Sequence, residues 1–125
     1  MSRVLLDTDI IINLLKKKPE FVEHFLDLYN NGTQFYYNPI VIAEIYAGAF
    51  KKELSDIENF FNRINNINIC KATGVQAGLY ANKYRKAFNK ISLEDYLIAS
   101  SAKIHAMKLW TNNKKHYPMS DIEFV

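Results

Sequence analysis

Short apolar runs alternate along this chain with stretches of helical periodicity. Val4, Leu5 and Leu6 form an unbroken branched run, which is typical of a strand buried on both faces of a parallel sheet. The run stops at Asp7, and the apolar residues that follow recur at helical spacing, with Asp9 as the expected N-cap. The pattern therefore predicts a strand, a tight turn that carries carboxylates, and a helix.

The same alternation continues to the C-terminus. Three more strands are predicted at residues 34–37, 67–70 and 108–111, with a short edge strand at 122–125. Helices are predicted from Pro19, after Asn38-Pro39, over residues 54–64, from a capping box at Thr73–Gln76, and from Ser92. Strands that alternate with helices favour a parallel sheet covered on both faces. We therefore expect one α/β domain over residues 1–125, a three-layer α/β/α sandwich with a mainly parallel sheet of four to five strands.

Composition narrows the class of protein. With 125 residues, 49% of them hydrophobic, the chain can bury a core and is not expected to be disordered. Its apolar runs are too short for a membrane span, and Asp7 and Asp9 interrupt the N-terminal run, so no signal peptide is predicted. The single cysteine, Cys70, excludes an internal disulfide and a cysteine-based zinc site. These features predict a cytoplasmic protein without a membrane partner.

Three acids occupy related places in the predicted elements. Asp7 follows the first strand, Glu44 lies in the apolar helix after the second, and Asp95 lies in the first turn of the helix that begins at Ser92. Asp7 and Asp95 also suit structural roles, as a turn former and as a first-turn acid. A carboxylate on a buried helix such as that of Glu44 is costly unless it is paired or binds a metal. Because ligands of open α/β sheets bind at the carboxyl ends of the strands, we expect the three acids to converge there.

Such a cluster has a predictable chemistry. Carboxylates in one pocket repel each other unless a cation lies between them. Oxygen ligands without a cysteine or histidine cluster suit Mg²⁺ or Mn²⁺, which bind phosphate oxygens and activate water for phosphodiester cleavage. His24, His105 and His116 are scattered in the sequence, and nothing in the pattern favours one of them as a general base.

Basic residues form three clusters. They are Lys16, Lys17 and Lys18; Lys83, Arg85 and Lys86; and Lys114, Lys115 and His116. Each cluster is interpreted either as solvated surface or as a contact to the phosphate backbone of RNA. The net charge of +3 favours polyanionic partners only mildly.

Four segments in order carry a resemblance to a known family. They are Leu5-Leu-Asp-Thr-Asp-Ile-Ile-Ile12, Ile42-Ala-Glu-Ile-Tyr-Ala-Gly-Ala49, Asp95-Tyr-Leu-Ile-Ala-Ser-Ser-Ala102 and Trp110-Thr-Asn-Asn-Lys-Lys-His-Tyr117. With these segments the chain resembles the PIN-domain nucleases over essentially its whole length, and in particular the VapC-type toxins of toxin–antitoxin pairs. The resemblance implies a PIN-like fold and an endoribonuclease that depends on Mg²⁺ or Mn²⁺ and leaves 5′-phosphate and 3′-hydroxyl ends.

The resemblance also implies roles for single residues. The acids of the family fall on Asp7, Glu44 and Asp95, which are the expected metal-binding and catalytic residues, and its Thr-x-Asn/Asp pair falls on Thr111 and Asn113. Members of the family are often dimeric and are held inactive by a small antitoxin. The implied partners are therefore RNA, an antitoxin and a second copy of the chain.

Three positions bear on how closely the chain follows the family. Val41 stands where relatives often have a serine or threonine, which removes a hydroxyl contact. Asn113 brings no charge to the fourth acidic position, so a second cation is expected to bind weakly. Asp9 stands where many relatives have asparagine or serine, and we assign it, with Thr111, a supporting role.

Two other functions fit parts of the pattern. The Asp7-Thr-Asp9 segment also suits a phosphatase of the haloacid dehalogenase type, with Asp7 as the nucleophile. A PIN-like RNA-binding module that no longer cleaves is the second alternative. The stripe of Leu54, Ile57, Phe61 and Ile64 is interpreted as ordinary core or as an interaction surface for a partner or a second copy.

Overall fold

The computed structural model describes residues 2–125. The strands in this range are β1 (Arg3–Leu6), β2 (Gln34–Tyr37), β3 (Asn65–Asn66) and β4 (Lys108–Trp110). The helices are α1 (Thr8–Leu15), α2 (Pro19–Asn30), α3 (Pro39–Ala47), α4 (Leu54–Phe61), α5 (Lys71–Tyr84) and α6 (Leu93–Ile104). Short 3₁₀ turns cover Lys51–Glu53 and Lys114–His116. None of the helices described over residues 2–125 has the length and apolarity needed to cross a membrane.

All four strands are parallel and lie in the order β3-β2-β1-β4. In the register of the sheet, Leu5 lies beside Tyr36 on one side and beside Leu109 on the other. Residues 4–6 are at most 1% exposed, which confirms the prediction of a strand buried on both faces. The α/β/α sandwich with a parallel sheet is thus confirmed, with four strands.

The C-terminal edge strand is only partly present. Residues 122–125 form a single parallel bridge, between Phe124 and Leu109, and no regular strand. Two backbone hydrogen bonds, from Leu109 N to Glu123 O and from Val125 N to Leu109 O, hold this segment beside β4.

The prediction of a strand over residues 67–70 is wrong. The third strand is the pair Asn65–Asn66, and the amide of Ile67 still donates to the carbonyl of Tyr37 before the chain leaves the sheet. α5 then begins at Lys71 with Cys70 at its N-cap. The predicted capping box at Thr73 is therefore also wrong, because Thr73 is fully buried inside the helix.

Local signals located the other helix starts well, with one exception. The side chain of Asn38 caps α3 by accepting from Val41 N, and Pro39 opens this helix. Ser92 and Asp95 form a reciprocal capping box at the start of α6. The N-cap of α1, however, is Asp7 and not Asp9, because the helix already begins at Thr8.

Two helices differ from the prediction in what they bury. α3 buries Val41 and Ile45 only, and Glu44 lies at its exposed side, so this helix is not buried throughout. α4 ends at Phe61 and buries Ile57 and Phe61, so most of the predicted apolar stripe belongs to the core. Ile64 lies beyond the end of this helix.

Candidate metal-binding active site

An acidic cleft opens at the carboxyl end of the sheet. The chain leaves β1 at Leu6 and β4 at Trp110, and a hydrogen bond of 3.0 Å from Asp7 N to Trp110 O ties the two exits together. The cleft has a volume of about 200 Å³. Its lining consists of Asp7, Thr8, Asp9, Ile12, Glu44, Asp95, Asn113, His116 and Tyr117. The three predicted acids therefore do converge, in the place that parallel-sheet geometry favours.

Asp7 is the most deeply buried of these acids, with 7% of its surface exposed. Its Oδ1 accepts a hydrogen bond of 2.8 Å from Thr8 N. Its Oδ2 accepts two more, from Thr111 Oγ1 at 2.7 Å and from Tyr117 OH at 3.0 Å. Burial raises the pKa of this carboxyl, and the three hydrogen bonds oppose that rise. The hydrogen bonds thus hold the Asp7 carboxyl in one orientation, in a buried position that disfavours its ionised form.

Asp9 links α1 to the loop after β4. Its Oδ2 accepts from the backbone N–H of Asn112 at 3.0 Å. Its Oδ1 is buried, and no residue in the range 2–125 donates a hydrogen bond to it. Burial, followed by the nearby charge of Asp7, raises the pKa of Asp9 to about 6. These contacts tie the start of α1 to the loop after β4, and a supporting role of Asp9 in the site stays a prediction.

Glu44 reaches the cleft from α3. Its Oε1 accepts a hydrogen bond of 2.8 Å from Thr8 Oγ1. The residue is exposed overall but belongs to the lining of the cleft, and desolvation raises the pKa of its carboxyl. The bond from Thr8 opposes this rise, and the charges of Asp7 and Asp95 add to it.

Asp95 both caps the start of α6 and lines the acidic cleft. Its Oδ2 accepts the Ser92 amide at 3.2 Å, which closes the capping box of α6. The same oxygen lies 3.2 Å from Nδ1 of His116, and both residues line the cleft. Of the three histidines, which are scattered in the sequence, the structure thus brings His116 to the cleft.

The Thr-x-Asn segment supports the site mainly through the hydroxyl of Thr111. Thr111 is 6% exposed, and its hydroxyl donates to Asp7 while it accepts the amide of Asn113 at 3.0 Å. Asn113 belongs to the lining of the cleft. Val41, by contrast, is fully buried in the core and offers no polar group.

The donor set fits a hard divalent cation, although the acids do not form a closed cage. Within residues 2–125, no three or more His, Cys, Asp or Glu side chains are close enough together, as they stand, to hold a metal ion. Glu44 and Asp95 instead contact partners of their own, Thr8 and His116. Magnesium-type ions commonly take one or two carboxylates and keep several waters, so an open acidic cleft suffices. The buried, unpartnered Oδ1 of Asp9 marks a place where added positive charge is favourable.

The three basic clusters differ in their relation to the cleft. Lys114 and Lys115 lie between Asn113 and His116, which both line it, and both lysines are exposed. Lys16, Lys17 and Lys18 form the exposed turn between α1 and α2. Lys83, Arg85 and Lys86 are exposed at the end of α5.

Sequence reasoning missed two polar residues of the site. Thr8 holds Glu44, and Tyr117 holds Asp7. Thr8 adjoins Asp7 in the sequence, and Tyr117 belongs to the segment that carries the family resemblance. Their adjacency to predicted site residues was the one available signal.

Comparison with known proteins identifies the family. The family model of the PIN domain matches residues 4–122, and the chain belongs to this family. It is 31% identical over 115 residues to Ribonuclease VapC19 of Mycobacterium tuberculosis, a match that covers 92% of each chain.

Solved structures share the fold. A chain in the crystal structure of VapBC2 from Rickettsia felis, bound to a DNA fragment from the promoter, superposes with a TM-score of 0.85 at 24% identity, over 98% of this chain and 97% of that one. A toxin–antitoxin complex from Klebsiella pneumoniae gives a TM-score of 0.71 at 23% identity, over 97% and 99%. Because the chain is a PIN domain, the haloacid dehalogenase alternative is set aside. PIN-domain ribonucleases are in general metal-dependent.

Proposed function

We propose that this protein is a VapC-type endoribonuclease that hydrolyses RNA with Mg²⁺ or Mn²⁺ as its cofactor. The observation that carries the proposal is the cleft in which Asp7, Glu44 and Asp95 come together at the carboxyl end of the sheet. The similarity to Ribonuclease VapC19 supports the same activity.

The residues of this site are proposed either to bind the metal or to orient the side chains that bind it. Asp7, Glu44 and Asp95 are the proposed ligands, and Asn113 is a weaker one. A bound divalent cation supplies positive charge for the phosphate and lowers the pKa of water. Thr111 and Tyr117 fix the direction of the Asp7 carboxylate, and Thr8 does the same for Glu44. The exposed lysines beside the cleft bind the RNA backbone without reading its sequence.

The test is a cleavage assay on a panel of single-stranded RNAs with Mn²⁺. Asp7→Ala, Glu44→Ala and Asp95→Ala are each expected to lose most of the activity, since stabilisation by a metal is worth several kcal/mol. Chelation should abolish cleavage by the unmodified protein. Glu123→Ala is the matched control, because Glu123 is an exposed acid that lines a separate cavity with Arg3 at the other end of β1.

Two results would contradict the proposal. One is an unmodified protein that leaves every RNA intact, as its Asp7→Ala variant does. The other is cleavage that all three alanine variants retain. Binding of RNA without cleavage would favour the alternative of a PIN-like binding module.

A small antitoxin and a second copy of the chain are the proposed protein partners. The shared fold with a chain of a toxin–antitoxin complex supports the antitoxin. Exposed apolar residues support protein contacts, among them Tyr29 at 63%, Leu79 at 58% and Val75 at 55% exposure. A monomeric mass at high protein concentration would contradict the homodimer. Purification from the native host without any small companion protein would contradict the antitoxin.

A further inference from the structure

A second cavity, which we call the side groove, lies next to the acidic cleft. It has a volume of about 410 Å³, within the usual range for ligand sites. Asn112 belongs to its lining, and the backbone of the same residue donates to Asp9 in the cleft. Asn13, another lining residue, lies about one helical turn after Asp9 in α1. The loop at Asn112 and helix α1 therefore connect the side groove to the acidic cleft.

Aromatic rings form one wall of the side groove. The imidazole of His24 lies against the indole of Trp110, with ring centroids 4.7 Å apart and planes inclined by 58°. Trp110 is 5% exposed, so it acts as a buried support, and the exposed His24 is the ring that a ligand can reach. Phe21 adds a half-buried ring. Such surfaces bind unstacked bases of single-stranded RNA.

The polar residues of the side groove suit a base better than a phosphate. Asn13 and Asn112 each present an amide with donors and an acceptor, the groups that read the edge of a base. Lys18 and Glu20 bring opposite charges to the same groove. Because these charges offset each other, the groove offers no net attraction to an anion and accepts a neutral planar group.

We propose that the side groove binds the base next to the scissile phosphate of a single-stranded RNA. His24 is the stacking surface, and the amides of Asn13 and Asn112 contact the base edge. This assignment rests on the proposed ribonuclease function, since it places the phosphate at the acids and the neighbouring base beside them. It makes His24 a contributor to the affinity for any base and Asn112 a determinant of which base is preferred.

Trp110 is the single tryptophan of the chain and is therefore an intrinsic probe of this groove. The experiment titrates the protein in chelator, where cleavage is absent, with fluorescein-labelled decamers of adenylate, cytidylate or uridylate. Trp110 emission and RNA anisotropy are read together. We compare His24→Ala, His24→Phe and Asn112→Ala with Asn82→Ala, an exposed asparagine on α5 that serves as the control.

We expect saturable changes of Trp110 emission that coincide with binding. His24→Ala should weaken binding about tenfold, as the loss of one base–aromatic stack does, and His24→Phe should retain it. Asn112→Ala should change the ranking of the three decamers, and Asn82→Ala should behave as the unmodified protein. Because His24→Phe keeps a ring against Trp110, it separates loss of stacking from loss of folding.

The opposite results overturn the assignment. One is that the protein does not bind RNA. The other is that RNA binds without a change in Trp110 emission and that His24→Ala and Asn112→Ala both keep the affinity of the unmodified protein. Cleavage with Mn²⁺ is assayed separately with the same RNAs. If RNA binds through the side groove but is never cut, the proposed function fails alone. If RNA is cut and neither variant alters KM or the preferred base at the cut, the side groove assignment fails alone.

Discussion

The phenol of Tyr117 donates a hydrogen bond to Oδ2 of Asp7 at 3.0 Å, although the two residues are 110 positions apart. Both are buried, at 3% and 7% exposure. Burial and the charge of Asp7 raise the pKa of Tyr117, so the phenol stays a donor at every physiological pH. The bond therefore fixes the carboxylate that begins the acidic cleft.

Tyr117→Phe removes this donor and keeps the ring. We expect a loss of about 1.5–3 kcal/mol in the free energy of unfolding at neutral pH, the usual range for a hydrogen bond to a charged group. The midpoint of a Mn²⁺ titration should rise about tenfold, as it does when a partner of a metal ligand is lost. Denaturant unfolding and metal titration measure the two effects. Tyr29→Phe makes the same chemical change at an exposed site and should alter neither. An unchanged Mn²⁺ midpoint in Tyr117→Phe would show that this bond does not orient a ligand.

Amide variants of Asp7 and Asp95 test whether each acid contributes to the stabilisation of the protein by metal. Asp7→Asn should lose the stabilisation by Mn²⁺, which for the unmodified protein is about 2.7 kcal/mol when free metal exceeds its Kd a hundredfold. Asp95→Asn should lose the metal response and also roughly 0.3–1 kcal/mol without metal, because Asp95 interacts with the helix dipole of α6. Thermal melts with and without Mn²⁺ test both variants. An intact metal response in either would remove that residue from the shared site.

The raised pKa of Asp9 predicts a pH dependence of stability. The folded, metal-free protein binds this proton more tightly than the unfolded chain, because the pKa rises from 3.8 to about 6. The resulting stability is present at low pH and is lost as the pH rises from 3.8 to about 6. Asp9→Asn cannot titrate, so its free energy of unfolding relative to the unmodified protein should increase over this window and then level off. Denaturant unfolding in chelator across the window measures the difference. A difference that stays constant with pH would contradict the burial of this charge.

The lysines beside the cleft predict a salt effect. Lys115→Gln should weaken binding of all RNAs and flatten the slope of log affinity against log salt by about 0.7, the value for one contact to a single strand. Lys108→Gln serves as the control, since Lys108 is exposed at the opposite end of β4. Anisotropy over a salt series gives both slopes. Equal slopes in the two variants would assign Lys115 to solvated surface.

The local pattern was sufficient to predict the strands of the sheet centre and most helix starts. Buried strands such as 4–6 are recognisable because a parallel sheet requires continuous apolar residues, and Asn38-Pro39 and Ser92 are capping signals that act within one turn. The predicted third strand failed because an alternation of four residues is too short to separate a strand from the approach to a helix. The capping box at Thr73 failed for a related reason, since the core selected an earlier start for α5.

By itself, the sequence determined that Asp7 directly follows one buried strand and that Glu44 lies in the helix after the next. Both acids therefore lie toward the same edge of a parallel sheet, because chain direction sets that edge. Asp95 follows no strand, and it reaches this edge through the packing of α6. The tertiary structure alone decided which distant residue each acid touches. Thr8 with Glu44, His116 with Asp95 and Tyr117 with Asp7 are contacts that the folded packing creates. The same holds for the ring contact between His24 and Trp110, which lie 86 positions apart in the sequence. Such pairs leave no local signature, because side-chain distances across a fold depend on how the elements pack and not on spacing along the chain.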